Sequence, residues 1–196
     1  MKKSWIVIAI IIIIGILLYS WVKGTYNHMV TEQEHVNKQW GDVENVYQRR
    51  ADLIPNLVAT VKGYATHEKE TLEGVINARA KATQTTIDAG NLTAEKMAAF
   101  QQAQDGLSSA LAKLMVVVER YPDLKANQNF LELQAQLEGT ENRITVERRK
   151  FNEAARKYNT YIKLFPKNIL ANLFGFDVKP YFEAQEGAET APKVEF

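Results

Sequence analysis

Two kinds of apolar pattern divide the chain. Residues 5–22, WIVIAIIIIIGILLYSWV, are apolar or small on every face and uncharged, and about 18 such residues suffice to cross a bilayer core. Beyond Gly24 the apolar residues recur at intervals of three and four, which marks helices with one buried face. A first stretch, about residues 26–50, carries Tyr26, Met29, Val30, Val36, Trp40, Val43 and Tyr47. A second, about 56–83, carries Leu57, Val61, Tyr64, Leu72, Val75 and Ile76. A third opens at Thr93, a helix-capping residue type, and continues through Met97, Phe100, Leu107, Leu111, Leu114 and Val118. The fourth, about 127–165, shows Phe130, Leu133, Leu137, Ile144, Phe151, Ala155, Tyr158 and Ile162. No β-type run and no repeat of solenoid period interrupts this pattern.

The breaks are also legible. Asp88-Ala89-Gly90-Asn91 is a turn cluster, Tyr121-Pro122-Asp123 ends the third helix, and Pro166 ends the fourth, because the residue before proline resists helical geometry. Pro55 leaves two readings open: a kink in one very long helix, or a tight reversal with proline near a new helix start. The similar lengths of the three shorter stretches suit an up-and-down bundle. The expected fold is all-α: an N-terminal transmembrane helix followed by an antiparallel up-and-down four-helix bundle of long helices. An elongated helical rod is the alternative. The corresponding divisions are a basic start (1–4), a membrane helix (5–23), a helical domain (24–166), an aromatic-rich extension (167–182) and a disordered acidic tail (183–196).

Composition sharpens the division. The chain has 196 residues, 24 Lys+Arg against 23 Asp+Glu, and 46% hydrophobic residues, which is ample for a packed core. Lys2, Lys3 and Lys23 precede Gly24 and no acid does, so the remainder is slightly acidic and anchoring falls to the apolar helix. This balance argues against nucleic-acid binding. Absence of cysteine excludes disulfides, thiol nucleophiles and thiolate metal sites. A cleaved signal peptide competes with an uncleaved anchor, but the exit Leu18-Tyr19-Ser20-Trp21-Val22-Lys23 is bulky where a cleavage site needs small residues. Trp5, Tyr19 and Trp21 stand where interfacial aromatics belong, and the flanking charges slightly favour an inside N-terminus and an outside domain.

Chemistry is sparse. A di-metal site in a bundle needs two Glu-x-x-His motifs; Glu32 to His35 supplies one, and neither His28 nor His67 supplies the second. His28, Glu32 and His35 share a face, for which a surface face with two histidines is the simpler account. No serine lies in a nucleophile elbow and no phosphate loop occurs, so neither catalytic nor cofactor-binding residues are expected. Arg50, Glu68, Arg79, Glu119, Glu141 and Arg148 are candidates for a polar layer that sets helix register, since buried charges require partners. A solvated face with i,i+4 pairs accounts for them equally well. The basic side of the fourth stretch is interleaved with Glu138, Glu141, Glu147 and Glu153, the pattern of a solvated, salt-bridged helix.

The chain resembles the LemA family of bacterial membrane-anchored helical proteins. The resemblance runs from Tyr26-Asn27 through Trp40 and the RRADLIPNLV run at 49–58. It continues in VKGYATHE at 61–68, Ala78-Arg79-Ala80, ERYPDLKAN at 119–127 and TENRI at 140–144. Phe151-Asn152, Tyr158-Asn159, Phe165-Pro166, Phe174-Gly175-Phe176 and Tyr181-Phe182-Glu183 complete it. Phe151 stands where the family usually has tyrosine. The resemblance implies a membrane anchor followed by an antiparallel bundle, in the bacterial plasma membrane, and supplies no mechanism. The leading expectation is a non-enzymatic envelope scaffold with an unidentified protein partner, contacted through Phe174, Phe176, Tyr181 and Phe182. These aromatics would otherwise simply close the end of the bundle. Self-assembly as a homo-oligomer is the second expectation, and a metal enzyme using His28, Glu32 and His35 the third.

Overall fold

The apolar run and the first amphipathic stretch form one helix. In the computed structural model, which describes residues 2–183, α1 extends without a break from Lys2 to Tyr64. It is followed by α2 (Lys69–Gln84), a 3-10 turn (Ala89–Asn91), α3 (Ala94–Val118), the single turn α4 (Pro122–Lys125), α5 (Gln128–Lys163) and α6 (Lys167–Phe174). The described residues are thus all-helical, with no strand. The expected acidic tail, beyond Glu183, lies outside the described residues.

Of the two readings left open at Pro55, the structure takes the single long helix. Pro55 stands inside α1, and the reversal comes eleven residues later, at the Thr66-His67 turn. The second predicted stretch, 56–83, is therefore divided between the end of α1 and α2. Proline in a helix interior removes the hydrogen bond to the carbonyl four residues earlier, here that of Ala51. The Nε–H of Arg79, on α2, donates to that oxygen at 2.7 Å. A donor from another helix fills the gap, so the helix has no reason to end.

Local signals place the other boundaries. Thr93 Oγ1 accepts from the Lys96 amide and Asn127 Oδ1 from the Phe130 amide, capping α3 and α5. Asp88 Oδ1 accepts from the Gly90 amide in the turn between α2 and α3. Pro122 opens α4, where its missing N–H costs nothing. Gly175 follows α6 at φ 73°, a conformation that releases the chain without a Cβ clash.

The helix lengths are unequal: 16 residues in α2, 25 in α3 and 36 in α5. The main packing pair is α1 with α5, antiparallel through contacts between Glu32 and Lys157, Trp40 and Phe151, Arg50 and Glu141, and Tyr64 and Asn127. The shorter α2 packs on α3 and on α1.

Two apolar cores result. One, around Trp40, joins Met29, Val36 and Tyr47 of α1 to Phe100 of α3, Phe151 and Tyr158 of α5, Leu170 of α6, and Phe182. The other joins Leu57 and Val61 of α1 to Val75 of α2, Leu107 and Leu114 of α3, Leu124 of α4, and Phe130 of α5. None of the apolar window at the start of α1 is buried against protein.

Candidate functional site

Between the two cores the inward positions turn polar. Arg50 follows the last α1 residue of the first core, Tyr47, by three positions and precedes the first of the second, Ile54, by four. The helix period therefore aims it inward, and its residue exposure is only 2%. Its Nη1 donates to Glu141 Oε2 at 2.9 Å and to Ser108 Oγ at 3.0 Å. Its Nη2 donates to Gln104 Oε1 at 2.7 Å and to the Gln104 carbonyl at 3.3 Å. Gln104 in turn donates to the Ala82 carbonyl at 3.3 Å. One guanidinium thereby joins α1 to α3 and α5, and through Gln104 to α2. It also lies 5.1 Å from the Tyr47 ring centre. Burial pushes the Tyr47 hydroxyl above its usual pKa, against the opposing pull of Arg148 and Arg50.

The six residues predicted for a polar layer do not share one level. Arg50 and Glu141 meet, and Arg79 reaches the Ala51 carbonyl beside them. Glu68 instead lies at the far turn, where it accepts from Arg120 Nη2 at 2.9 Å and from Tyr121 Oη at 3.0 Å. That second bond, favouring the protonated phenol, raises the Tyr121 pKa. Glu119 pairs with Lys125 on the exposed side of the same turn. Arg148 donates to the Glu183 carbonyl at 2.9 Å and stacks 4.7 Å from the Phe182 ring centre.

The chain after Gly175 runs back along α5 as an extended strap. Asn152 and Asn159, seven positions apart and thus on one helix face, each hold it by both ends of an amide. Asn159 Nδ2 donates to the Lys179 carbonyl and its Oδ1 accepts from the Lys179 amide, both at 2.8 Å. Asn152 makes the same pair with Phe182, at 3.0 and 2.9 Å. Side-chain amides here take the place of a neighbouring peptide in a β-ladder. Nothing in residue spacing alone assigns those partners, since the strap has no periodic pattern. The nearest signal is that each asparagine follows a buried aromatic, Phe151 or Tyr158.

The four aromatics expected to contact a partner separate accordingly. Phe182 is a core residue, 5% exposed, stacked on Trp40 with centroids 5.9 Å apart. Phe176 is half-buried, and it and Phe174 meet the Tyr26 ring edgewise at 5.5 and 5.0 Å. Tyr181 accepts from Asn159 at 2.9 Å, and only it and Phe174 remain exposed. Trp40 donates to the Ile87 carbonyl at 3.0 Å and meets Phe100 and Phe151 edge to face. Among the described residues the buried Tyr158 hydroxyl has no hydrogen-bond partner, and desolvation, reinforced by Asp177, pushes its pKa up to about 12.

At the end nearest the apolar run, Glu32 is buried and pairs with Lys157 at 2.8 Å and His28 Nε2 at 3.5 Å, while His35 is exposed. Among the described residues no group of three or more His, Asp or Glu side chains is placed to hold a metal ion. A groove of about 570 Å³ beside the strap is lined by Arg148, Arg149 and Arg156 with Glu153 and Tyr181. The long-range polar pairs, from Arg50, Arg79, Asn152 and Asn159, hold helices and strap together.

Residues 39–196 match the family model described as the LemA family. The chain is 29% identical to magnetosome protein MamQ of Magnetospirillum gryphiswaldense over 182 residues, covering 84% of this chain and 67% of that protein. Magnetosome protein MamQ 2 of Paramagnetospirillum magneticum is likewise 29% identical, with the same coverage. Protein LemA of Metamycoplasma hominis is 23% identical, over 94% of this chain and 80% of its own length.

Proposed function

Since the chain belongs to the LemA family, we propose that it is a single-pass, membrane-anchored scaffold of the bacterial plasma membrane, with its helical domain on the outer side. Its task in this reading is to hold a protein partner at a defined distance from the bilayer. The observation that carries it is the continuity of α1. The same helix that begins as an uncharged, unburied apolar run supplies one wall of both cores. With no flexible linker between them, a tilt of the anchor is transmitted to the domain. The part of the domain where α1, α2, α3 and α5 share a core functions as a four-helix bundle, and the 24–166 region with its strap as one unit. Two relatives are named for the magnetosome rather than for a reaction, which supports a structural role over an enzymatic one.

The exposed Phe174 and Tyr181 are the positions from which a partner is best sought. A photocrosslinker at Tyr181 in cells captures a second polypeptide if the scaffold reading holds; capture of the chain's own helices alone rejects this contact surface. The anchor is tested by cell fractionation. Ile11→Arg with Ile14→Arg moves the protein from the carbonate-resistant membrane fraction to the soluble one. Retention in the membrane by the double variant defeats the reading. Self-association is a second reading, favoured by the row of exposed isoleucines at 10–14. Mass measurement in mild detergent separates the two, since a strictly monomeric particle at high concentration rejects self-assembly.

A further inference from the structure

The helix α6 is amphipathic in an unusual place. Leu170 and Ala171 face the core, whereas Ile169 and Leu173, one turn apart, point outward with exposures of 57% and 72%. Leu164 and Phe165 project from the turn just before it, Phe165 at 80% exposure. Together they form an apolar ridge at one end of the domain, and among the described residues no protein side chain covers it to that extent. The ridge lies next to the exit of the apolar run. Phe174 and Phe176 pack on Tyr26 of α1, and Val22, the last residue of the run, packs on the same core as Leu170 and Ala171. Trp21, half exposed, marks the level at which interfacial aromatics sit. Tyr26 is five positions further along the helix, about 7.5 Å along the axis, comparable with the roughly 5–8 Å headgroup layer of one leaflet. The charge is of the matching kind. No acid occurs between Glu153 and Asp177, while Arg156, Lys163 and Lys167 do, besides Lys157, which pairs with Glu32, and Lys23 stands at the helix exit.

We propose that α6 and the Leu164–Phe165 turn form a second membrane contact, an interfacial wedge whose Phe165, Ile169 and Leu173 side chains enter the headgroup–acyl boundary beside the membrane helix. Apolar residues of an amphipathic helix insert to that depth while neighbouring lysines meet anionic headgroups. The inference rests on the anchoring proposed above. Two contacts at one membrane level would fix how α1 tilts and which face the domain turns to the bilayer, neither of which a lone spanning helix sets.

The chain has no cysteine, so single-cysteine labelling of the full-length protein provides the test. Leu173→Cys, Ile12→Cys and Val116→Cys are each labelled with an environment-sensitive fluorophore and reconstituted into vesicles of phosphatidylcholine with phosphatidylglycerol. Nitroxide quenchers are attached to the lipid at two depths, one near the headgroup end of the acyl chain to report on Leu173 and one near its terminal methyl to report on Ile12. Val116, 71% exposed near the end of α3, is the solvent reference. The expected result is strong quenching at Leu173, no quenching at Val116, and quenching at Leu173 that weakens in pure phosphatidylcholine. Quenching at Ile12 but not at Leu173 overturns the wedge and leaves the anchor intact. Blue-shifted emission at Leu173 without lipid quenching also overturns it, because the ridge would then lie against a second copy. Failure of quenching at Ile12 rejects the anchor itself, and the wedge with it.

Discussion

The continuity of α1 through Pro55 depends on a donor from another helix, and that dependence can be measured. Ala51, 3% exposed, has a carbonyl that loses its usual partner because residue 55 has no N–H. Arg79 supplies the missing bond at 2.7 Å. Replacing Arg79 by Met keeps the apolar stem but strands the buried carbonyl, a loss of about 1.5–3 kcal/mol for a charge-assisted bond. Replacing Pro55 by Ala restores the helical N–H at residue 55 and makes the Arg79 bond redundant. In that background Arg79→Met is expected to cost about 1 kcal/mol or less, an ordinary surface-bond value. The cycle should therefore yield a coupling of about 1–2 kcal/mol. Denaturant unfolding of the full-length protein in mild detergent, followed by Trp40 emission with Trp5 and Trp21 changed to Phe, reports on the domain and not on the apolar run. Equal costs for Arg79→Met in both backgrounds would refute the argument that one residue compensates for the other.

Three further outcomes are expected. Arg50→Met should destabilise the domain by about 2–4 kcal/mol, since it strands buried acceptors on α3; Glu141→Gln, at the exposed end of the same network, should cost about 1 kcal/mol or less. A reversed order in the same unfolding assay would place the network's anchor at the wrong end. Asn152→Ala combined with Asn159→Ala should raise amide exchange at residues 176–183 and red-shift Trp40 emission by freeing Phe182, and unchanged exchange there would mean that the amide pairs do not hold the strap. The raised pKa of Tyr158 contributes stability that is fully present below the usual tyrosine value near 10 and is lost as pH climbs toward about 12. Tyr158→Phe, which removes a buried hydroxyl without a partner, should shift the alkaline unfolding midpoint upward, and a midpoint equal to that of the parent would locate the alkaline transition elsewhere.

Much of the architecture is readable from local pattern because its causes are local. The uncharged run at 5–22, the caps at Thr93 and Asn127, the Asp88–Gly90 turn and the Pro122 start all involve residues within a few positions of each other. Hydrophobic spacing also identified most of the inward positions: Trp40, Phe151 and Tyr158 are fully buried, whereas Tyr26, Val30, Tyr64 and Ile76 on the same predicted stripes are exposed. The functional candidates were less legible. Phe182 reads as either a partner contact or an aromatic closing the bundle, and spacing does not show that Asn152, thirty positions earlier, holds it in the core. The polar candidates were visible as residue types, but charge patterning carries no information about level, so Glu68 and Arg148 could not be separated from Arg50 and Glu141.

By itself, then, the order of residues determined a helical chain with an apolar start, the direction each helix faces, and most of the points where helices stop, because propensity, capping and periodicity act over one or two turns. The tertiary structure decided that Pro55 does not end α1, that a single guanidinium joins α1, α3 and α5, and that the aromatic extension folds back along α5. Each of these depends on a hydrogen-bond partner 20 to 91 residues away, and such a partner acquires a position only when the helices have packed.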